Sequence, residues 1–291
     1  RGERKGGRVV PHAKSAPRAP SERVGPLHVE VVTIGRELLR GYVTDVNSRF
    51  LATDISQRGA IVHRITVVDD QDQAIARAIT EALTRGANLV VTVGGLGPTS
   101  DDCTLAGVAD ALGVPLGVHP HATEMVEAAF KRLKDEGQVA STGMTRTREK
   151  LCALPVGGQP VANEFGVPPG VIVRLPGGPV VACLPGTPRE CESVWHALAA
   201  EIKELNTPIH RAQRELEAPT ADESVLQPIL TRVRDEYPTV WIKTFAPGWK
   251  RGRRTRGARV VFEGTANTRH EAEVAVEGAM QRLLALAGAG K

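Results

Sequence analysis

The sequence predicts an α/β protein: a mostly parallel sheet flanked by helices, followed by a smaller C-terminal α+β domain. Short apolar runs alternate with segments whose apolar residues recur at helical spacing, and this alternation is typical of parallel sheets with helices on both faces. Glycines follow several of the helical segments, where a left-handed residue can end a helix. Polar and glycine-rich residues gather directly after the apolar runs, as they do where parallel strands end at a ligand site. The 291 residues are enough for about two domains with an ample core.

The helices and strands of the first domain can be assigned in chain order from the spacing of apolar residues and from the Gly and Pro residues between the segments. The sequence Pro-Gly-Gly-Pro between two apolar runs predicts a hairpin, since glycine supplies the turn conformations that other residues avoid. The predicted strands are residues 29–34, 60–68, 88–93, 171–175 and 180–184, and the predicted helices are residues 44–57, 71–84, 102–112, 121–136 and 188–204.

The remaining residues predict a β-α-β-β-α unit. Thr220 and Asp222 are candidate caps for its first helix, because their side-chain oxygens can accept from free backbone N–H groups. The predicted strands are 211–217, 240–245 and 259–263, and the predicted helices are 223–236 and 268–286. We therefore expect three parts: a basic extension (1–28), a nucleotide domain (29–205) and a small α+β domain (206–291) with a basic loop at 246–257.

The net charge of +4 is concentrated in two segments. Residues 1–28 hold seven Arg and Lys against two Glu, and residues 250–259 hold six Arg and Lys and no acid. Such segments can neutralise nucleic-acid phosphates, and Trp249 could stack on a base. A solvated hairpin tip explains the loop equally simply. The extension has the composition of a disordered segment, and it resembles an organellar transit peptide as much as a trimmed or vector-derived sequence.

The composition also indicates which cellular compartment to expect for the protein. No apolar run approaches the ~18 residues that a membrane span needs, so we expect no membrane association. We expect the cytoplasm or an organelle matrix, mitochondrial or plastid, and not secretion. The four cysteines form no C-x-x-C pair, which favours small apolar core residues in a reducing compartment over disulfides or zinc.

Residues 90–102, Val-Val-Thr-Val-Gly-Gly-Leu-Gly-Pro-Thr-Ser-Asp-Asp, are the most informative stretch. A buried strand leads into a glycine loop and then a predicted helix start, which is how α/β proteins build anion sites. Asp101 and Asp102 would repel a bare phosphate, so they indicate a divalent metal between the protein and a diphosphate. Aspartates that merely cap a helix are the simpler alternative. The chain has neither a P-loop motif nor a G-x-G-x-x-G fingerprint.

Polar residues after four predicted strands should meet at one sheet edge and form the site. The predicted catalytic residues are Asp101, Asp102 and Glu37, with Glu37 as a metal ligand or a general base. The predicted metal ligands are Asp70, Asp101, Asp102 and Glu190. The predicted substrate-binding residues are Gly35, Asn47, Gly94, Gly95, Gly97, Thr99, Lys150, Asn163 and Gly186.

Several of these motifs resemble the competence/damage-inducible protein A family, which has the fold of molybdenum-cofactor biosynthesis proteins that bind molybdopterin. Arg36 and the pair Glu164-Phe165 depart from the family pattern. Residues 221–230 resemble the second domain in the molybdopterin-binding-like half of eukaryotic FAD synthases. The matching motifs are residues 33–41 with Asn47, residues 94–104, Arg148-Glu149-Lys150 with Leu154-Pro155, Asn163 with Gly166 and Pro169-Gly170, and residues 184–190.

The resemblance implies a nucleotide pyrophosphatase acting on ADP-ribose or FAD with a divalent metal, magnesium or cobalt, and with potassium. It also implies self-association as a dimer or trimer. Two alternatives stay open. One is a molybdopterin-binding or adenylating protein of the same fold. The other is a non-catalytic subunit of a larger assembly, such as a ribonucleoprotein, that binds its partner through residues 1–28 and 246–257.

Overall fold

The computed structural model describes residues 27–206, 210–246, 249–250, 253–254 and 257–288. The strands are β1 (His28–Ile34), β2 (Ile61–Val68), β3 (Leu89–Val93), β4 (Leu116–Val118), β5 (Ala153–Pro155), β6 (Gly158–Val161), β7 (Gly170–Arg174), β8 (Val180–Leu184), β9 (His210–Glu217), β10 (Val240–Phe245), β11 (Trp249–Lys250), β12 (Arg253–Arg254) and β13 (Arg259–Ala266). The α-helices are α1 (Arg36–Leu39), α2 (Asn47–Gln57), α3 (Asp72–Thr84), α4 (Thr104–Leu112), α5 (Pro120–Asp135), α6 (Arg146–Glu149), α7 (Pro188–Glu201), α8 (Glu223–Glu236) and α9 (Arg269–Gly288). Single 3-10 turns lie at Lys150–Cys152 and Lys203–Asn206.

A six-stranded sheet in the order β2-β1-β3-β8-β7-β6 forms the centre of the first part. The first four strands are parallel, and β7 and β6 are antiparallel to their neighbours. This confirms the predicted mostly parallel sheet, and the Pro-Gly-Gly-Pro hairpin joins β7 to β8 as predicted. Strands β3 and β8 are buried at every residue, because helices cover both faces of the sheet.

Two apolar layers hold this sheet. On one face, Leu51 of α2 and Trp195 and Leu198 of α7 pack against β1, β3 and β8. On the other face, Ile79 of α3 and Val108 of α4 pack against the same strands. The layers fix the strand ends, and with them the loops that follow.

A second sheet, β10-β13-β9, is antiparallel, and α8 and α9 supply the helical side of its separate apolar cluster. The side chain of Asp222 accepts from the Ser224 N–H at 2.9 Å, so it is the predicted cap of α8. The domain boundaries stay a prediction. One residue of the predicted extension, Leu27, is buried in the core, and its carbonyl accepts from the Ile61 N–H at 3.0 Å. His28 already belongs to β1.

The structure differs from the predicted elements mainly at short ones. Helix α4 begins at Thr104, two residues later than predicted, and the elements β4, β5, β6, α1 and α6 were not predicted. Residues 1–26 and much of the basic loop lie outside the described residues, so the nucleic-acid hypothesis for them is a prediction still. In the part of the chain that is described, no helix is long and apolar enough to cross a membrane.

Candidate functional site

The carboxyl ends of the four parallel strands lie level with one another. Ile34 pairs with Val68 across β1 and β2, and Val93 pairs with Leu184 across β3 and β8. The loops that follow these strands therefore meet, and they line a cavity of about 850 Å³. This is the convergence that the sequence predicts.

Glycines form the part of the cavity wall where two loops come closest. Gly94 and Gly95 have φ angles of 99° and 65°, and a Cβ on Gly94 would lie 2.5 Å from the Ile34 carbonyl oxygen. A Cβ on Gly186 would lie 3.3 Å from the Gly94 Cα. The buried Thr104 hydroxyl donates to the Gly94 carbonyl at 2.7 Å and so fixes the loop at the start of α4. Main-chain groups can therefore approach a ligand closely on both loops.

Asp101 and Asp102 lie in the turn before α4 and converge on one side chain. The Thr99 hydroxyl is within hydrogen-bonding distance of Asp101 Oδ1 and, at 2.7 Å, of Asp102 Oδ2. The Thr99 N–H also donates to Asp102 Oδ2 at 2.9 Å. The Lys150 ammonium donates to the Thr99 carbonyl. Thr99 and Lys150, which we predicted to bind phosphate, therefore hold the two carboxylates in place instead of lining the main cavity.

These contacts lower the pKa of one of the two carboxyl groups, that of Asp101. The hydrogen bond from Thr99 lowers the pKa of Asp101, and the charges of Lys150 and Arg36 lower it further. A hydroxyl has one proton, so Thr99 can donate to only one carboxylate at a time. Two carboxylates that share one hydroxyl proton are a suitable place for a cation.

Buried Asn163 and half-buried Glu190 are hydrogen-bonded to each other at the other side of the cavity. Glu190 Oε2 accepts from the Asn163 amide at 2.7 Å, and Oε1 accepts from the Thr187 hydroxyl at 2.6 Å. The Asn163 amide also donates to the Pro168 carbonyl, and its oxygen accepts two backbone N–H groups. Asn163 has no bonding position left for a ligand, so it positions Glu190 and the 163–168 turn.

Two hydrogen bonds place the start of α2 at the cavity. Asn47 donates its amide to the Gly186 carbonyl at 2.7 Å and joins the first loop to the last. Asp45 accepts from the Ser48 N–H at 2.9 Å, and its other oxygen contacts the Thr33 hydroxyl at 3.2 Å. We did not predict Asp45 or Thr33 as site residues. The signal was there, since an Asp just before a helix is a residue type that commonly accepts from the free N–H groups of the first turn.

The loop after β1 places the carboxylate of Glu37 at the cavity. Glu37 lines the cavity, and its carboxylate makes no hydrogen bond within the described residues. Asp70 accepts from the Arg36 N–H at 2.7 Å and so holds the start of α1. The Arg36 guanidinium pairs with Asp69 at 2.8 and 3.0 Å and is not part of the cavity wall. Arg36, a departure from the family pattern, therefore leaves the cavity open.

The predicted site residues thus divide into two sets. Ten line the cavity: Glu37, Asn47, Asp70, Gly94, Gly95, Gly97, Asp101, Asp102, Gly186 and Glu190. Four do not, namely Gly35, which precedes α1, and Thr99, Lys150 and Asn163.

Among the described residues, the charged side chains on the cavity wall are all acidic. Within the described residues no group of three or more His, Cys, Asp and Glu is arranged to hold a metal ion, so the four predicted ligands do not form one cage. Mg²⁺ does not need such a cage, because it commonly binds one or two carboxylates together with substrate phosphates and water. The pair at Thr99 fits that kind of site. The acidic wall is formed by Glu37, Asp45, Asp70, Asp101, Asp102 and Glu190.

Fold and cavity together define an α/β protein with a glycine-lined ligand site at the carboxyl edge of its parallel strands. The family model described as a probable molybdopterin binding domain matches residues 30–204, more than half of the chain. The chain therefore belongs to that family, which confirms the resemblance predicted from the motifs.

Relatives and a solved structure agree with this assignment. The chain is similar to a protein of Pyrobaculum calidifontis, 33% identical over 88% of this chain and 94% of that one. Protein TK1472 of Thermococcus kodakarensis is 36% identical over 72% of this chain and 82% of its own length. The crystal structure of the protein CinA from Thermoplasma acidophilum, titled as of unknown function, has a TM-score of 0.54 at 32% identity. It covers 60% of this chain and 98% of that one.

Proposed function

We propose that this protein hydrolyses the diphosphate linkage of a nucleotide such as ADP-ribose or FAD, with a divalent cation held by Asp101 and Asp102. The observation that supports this most directly is the pair of carboxylates at the single Thr99 hydroxyl, beside main-chain groups of the glycine loop. A diphosphate could not enter so acidic a cavity without a cation to neutralise it. When bound, Mg²⁺ or Co²⁺ would polarise a phosphoryl oxygen.

The chain's own groups have distinct tasks in this proposal. The glycine loop offers main-chain N–H groups to phosphate oxygens, and Gly186 approaches it from the opposite loop. The Glu37 carboxylate has no hydrogen-bond partner among the described residues and can accept a proton from the attacking water. Glu190 and Asp70 are already engaged by Asn163, Thr187 and the Arg36 N–H, so we assign them to shaping the cavity.

Release of AMP from ADP-ribose and from FAD, measured by chromatography with Mg²⁺ or Co²⁺, tests the proposal. We expect Asp101→Asn and Asp102→Asn each to lower kcat/KM by more than about 100-fold, because even outer-shell partners of metal ligands are worth about 10- to 100-fold. Asp110→Asn is the matched control, since Asp110 is exposed on α4 and does not line the cavity. It should keep the wild-type rate.

The family match supports a second candidate, molybdopterin binding without hydrolysis, at the same cavity. Hydrolysis and molybdopterin binding without hydrolysis predict different amounts of released AMP. If the wild-type protein releases no more AMP than an Asp101→Asn/Asp102→Asn double variant, with either metal and either substrate, the hydrolase proposal is wrong. Saturable binding of molybdopterin that the double variant weakens would then favour the second candidate.

A further inference from the structure

One side of the cavity is formed by the 163–168 turn packed against the start of α7. Gly166 of the turn and Glu190 of the helix both line the cavity, and a Cβ on Gly166 would collide with the Glu190 carboxylate. The preceding residue of each partner forms a second contact, in which the Arg189 guanidinium lies 3.9 Å from the centre of the Phe165 ring. Phe165 and Arg189 are exposed and do not belong to the cavity wall, so their contact lies at its rim.

The Phe165–Arg189 pair leaves one flat face open. Phe165 is 45% exposed, and within the described residues the Arg189 guanidinium makes no ion pair and no hydrogen bond. A guanidinium that stacks on an aromatic ring uses one of its two faces, and the other can take a second flat group. The pair is therefore a platform on which a planar ring can stack.

The turn that carries Phe165 is fixed before any ligand binds. The Asn163 amide donates to the Pro168 carbonyl at 3.0 Å, and its oxygen accepts from the Phe165 N–H at 3.1 Å. The Arg132 guanidinium donates to the Gly166 carbonyl at 2.9 Å. A ligand that stacks here therefore does not have to order the turn, which favours binding.

The cavity wall next to this rim is largely apolar. Val167 lines the cavity from the turn, and it packs in one apolar cluster with Phe130, which lines the cavity from α5. The carboxylate on this side is that of Glu190, and both of its oxygens already accept hydrogen bonds. A flat, uncharged base fits this side of the cavity, whereas a diphosphate with its cation fits the glycine loop.

We infer that Arg189, held on the Phe165 ring, is a specificity-determining residue that binds the adenine of the nucleotide by stacking. The inference rests on the proposed function, because it concerns the same cavity and both proposed substrates contain adenosine. Bases stack on guanidinium planes as they do on aromatic rings. The guanidinium also has N–H donors in its plane for acceptor atoms of the ligand.

Isothermal titration calorimetry of the full chain with AMP and with ribose 5-phosphate, both in Mg²⁺, tests the inference. The two ligands share ribose and phosphate and differ by the base. We expect AMP to bind at least about fivefold more tightly, the lower end of what one stacked base contributes. Arg189→Ala and Phe165→Ala should each weaken AMP binding by about that factor and change ribose 5-phosphate binding little. In turnover, Arg189→Ala should raise the KM for ADP-ribose and keep kcat.

Conservative variants separate stacking from charge. Arg189→Lys keeps the charge without the flat group and should bind AMP as weakly as Arg189→Ala, whereas Phe165→Tyr keeps the ring and should bind AMP as the wild type does. Arg259 and Phe245 on the small sheet form the same kind of contact, at 4.4 Å, and neither lines the cavity. Arg259→Ala and Phe245→Ala are therefore matched controls that should not change AMP binding. Thermal melting followed by circular dichroism would show that the variants are folded.

Failure of this inference and failure of the proposed function give different results. Release of AMP from ADP-ribose, together with AMP binding that both alanine variants leave unchanged, overturns the inference alone. Absence of hydrolysis, together with AMP binding that both variants weaken, overturns the hydrolase proposal and supports the inference. Wild-type protein that binds AMP no more tightly than ribose 5-phosphate overturns it, and so does an Arg189→Ala protein that loses affinity for both ligands equally, since Arg189 would then act only through its charge.

Discussion

The Thr99 hydroxyl has one proton and lies within hydrogen-bonding distance of two carboxylates. The hydroxyl reaches Asp101 and Asp102, and the carbonyl of the same residue takes the Lys150 ammonium, so one residue connects the acids to the nearest cation. The arrangement keeps both acids at the cavity wall before any ligand arrives. Such preorganisation is what a cation-dependent site requires, since carboxylates that first have to be gathered bind a metal less tightly.

Removal of this hydroxyl should change the pH dependence of the reaction. Thr99→Val deletes the hydrogen bond that contributes most to lowering the pKa of Asp101, so that pKa should rise. With a higher pKa, Asp101 becomes protonated at a higher pH on acidification. The acid limb of the kcat/KM profile for AMP release should therefore move to higher pH. Thr99→Ser keeps a hydroxyl and should keep the wild-type limb.

The position of the acid limb distinguishes this role from a purely structural one. A Thr99→Val protein with slower turnover but an unmoved acid limb would show that Thr99 does not lower the pKa of Asp101. Carbon-detected NMR titration of the Asp101 carboxyl gives the same answer without turnover.

Helix α4 is the element that carries the glycine loop, and its packing depends on one small residue. A Cβ on Gly107 would lie 2.7 Å from two atoms of Ile75 and 2.9 Å from the Asp72 carbonyl oxygen, all on α3. The two helices therefore lie as close as a glycine permits. This contact therefore also determines the position of the glycine loop, which directly precedes α4.

Gly107→Ala should consequently lower the free energy of unfolding by about 2 kcal/mol, within the usual cost of overpacking, although alanine is the better helix former. Urea unfolding followed by circular dichroism would measure it. Gly288→Ala, at the end of α9 with nothing near the added Cβ, is the control and should change stability little. Equal stabilities for the two variants would mean that α3 can shift to admit the methyl group.

At the scale of the whole molecule, the two largest sheets of the described residues have separate apolar clusters. Trp195 belongs to the cluster of the large sheet, and Phe262 is fully buried in that of the small one. This separation, together with the predicted boundary at residues 205 and 206, leads us to expect that the two parts unfold independently.

A tryptophan reporter can test this independence. In a Trp241→Phe/Trp249→Phe background, only Trp195 reports, and Phe262→Ala should cost about 3–5 kcal/mol in the small part without moving the Trp195 transition. Leu198→Ala, in the cluster of Trp195, should move it. A Trp195 transition that shifts equally in both variants would instead indicate one cooperative unit.

The sequence predicted the fold well where patterns are long. Helix α8 and strand β10 have the predicted bounds, because periodicity and the Asp222 cap act within the element itself. The three-residue strands β4 and β5 were missed, since they are too short for a period and depend on long-range contacts, namely pairing with each other and the packing of Leu154 in the core.

The site was predicted in outline and not in its internal contacts. Strand ends and loop composition placed ten of the predicted residues on one cavity. The hydrogen bond between Asn163 and Glu190 joins side chains 27 positions apart, which no local pattern predicts. The bonds of Thr99 to the aspartates depend on the shape of a turn, which no local pattern fixes either. The later start of α4 has the same cause, because Asp102 bonds back to Thr99 before the helix begins.

The exclusively acidic charge of the cavity has a consequence for how the protein would take up its ligands in the cell. Coupled binding equilibria are reciprocal: whatever factor magnesium adds to the affinity for ADP-ribose, ADP-ribose adds to the affinity for magnesium. In the proposed hydrolase the cation and the nucleotide would therefore promote each other's binding, so the supply of either one would regulate occupancy by the other.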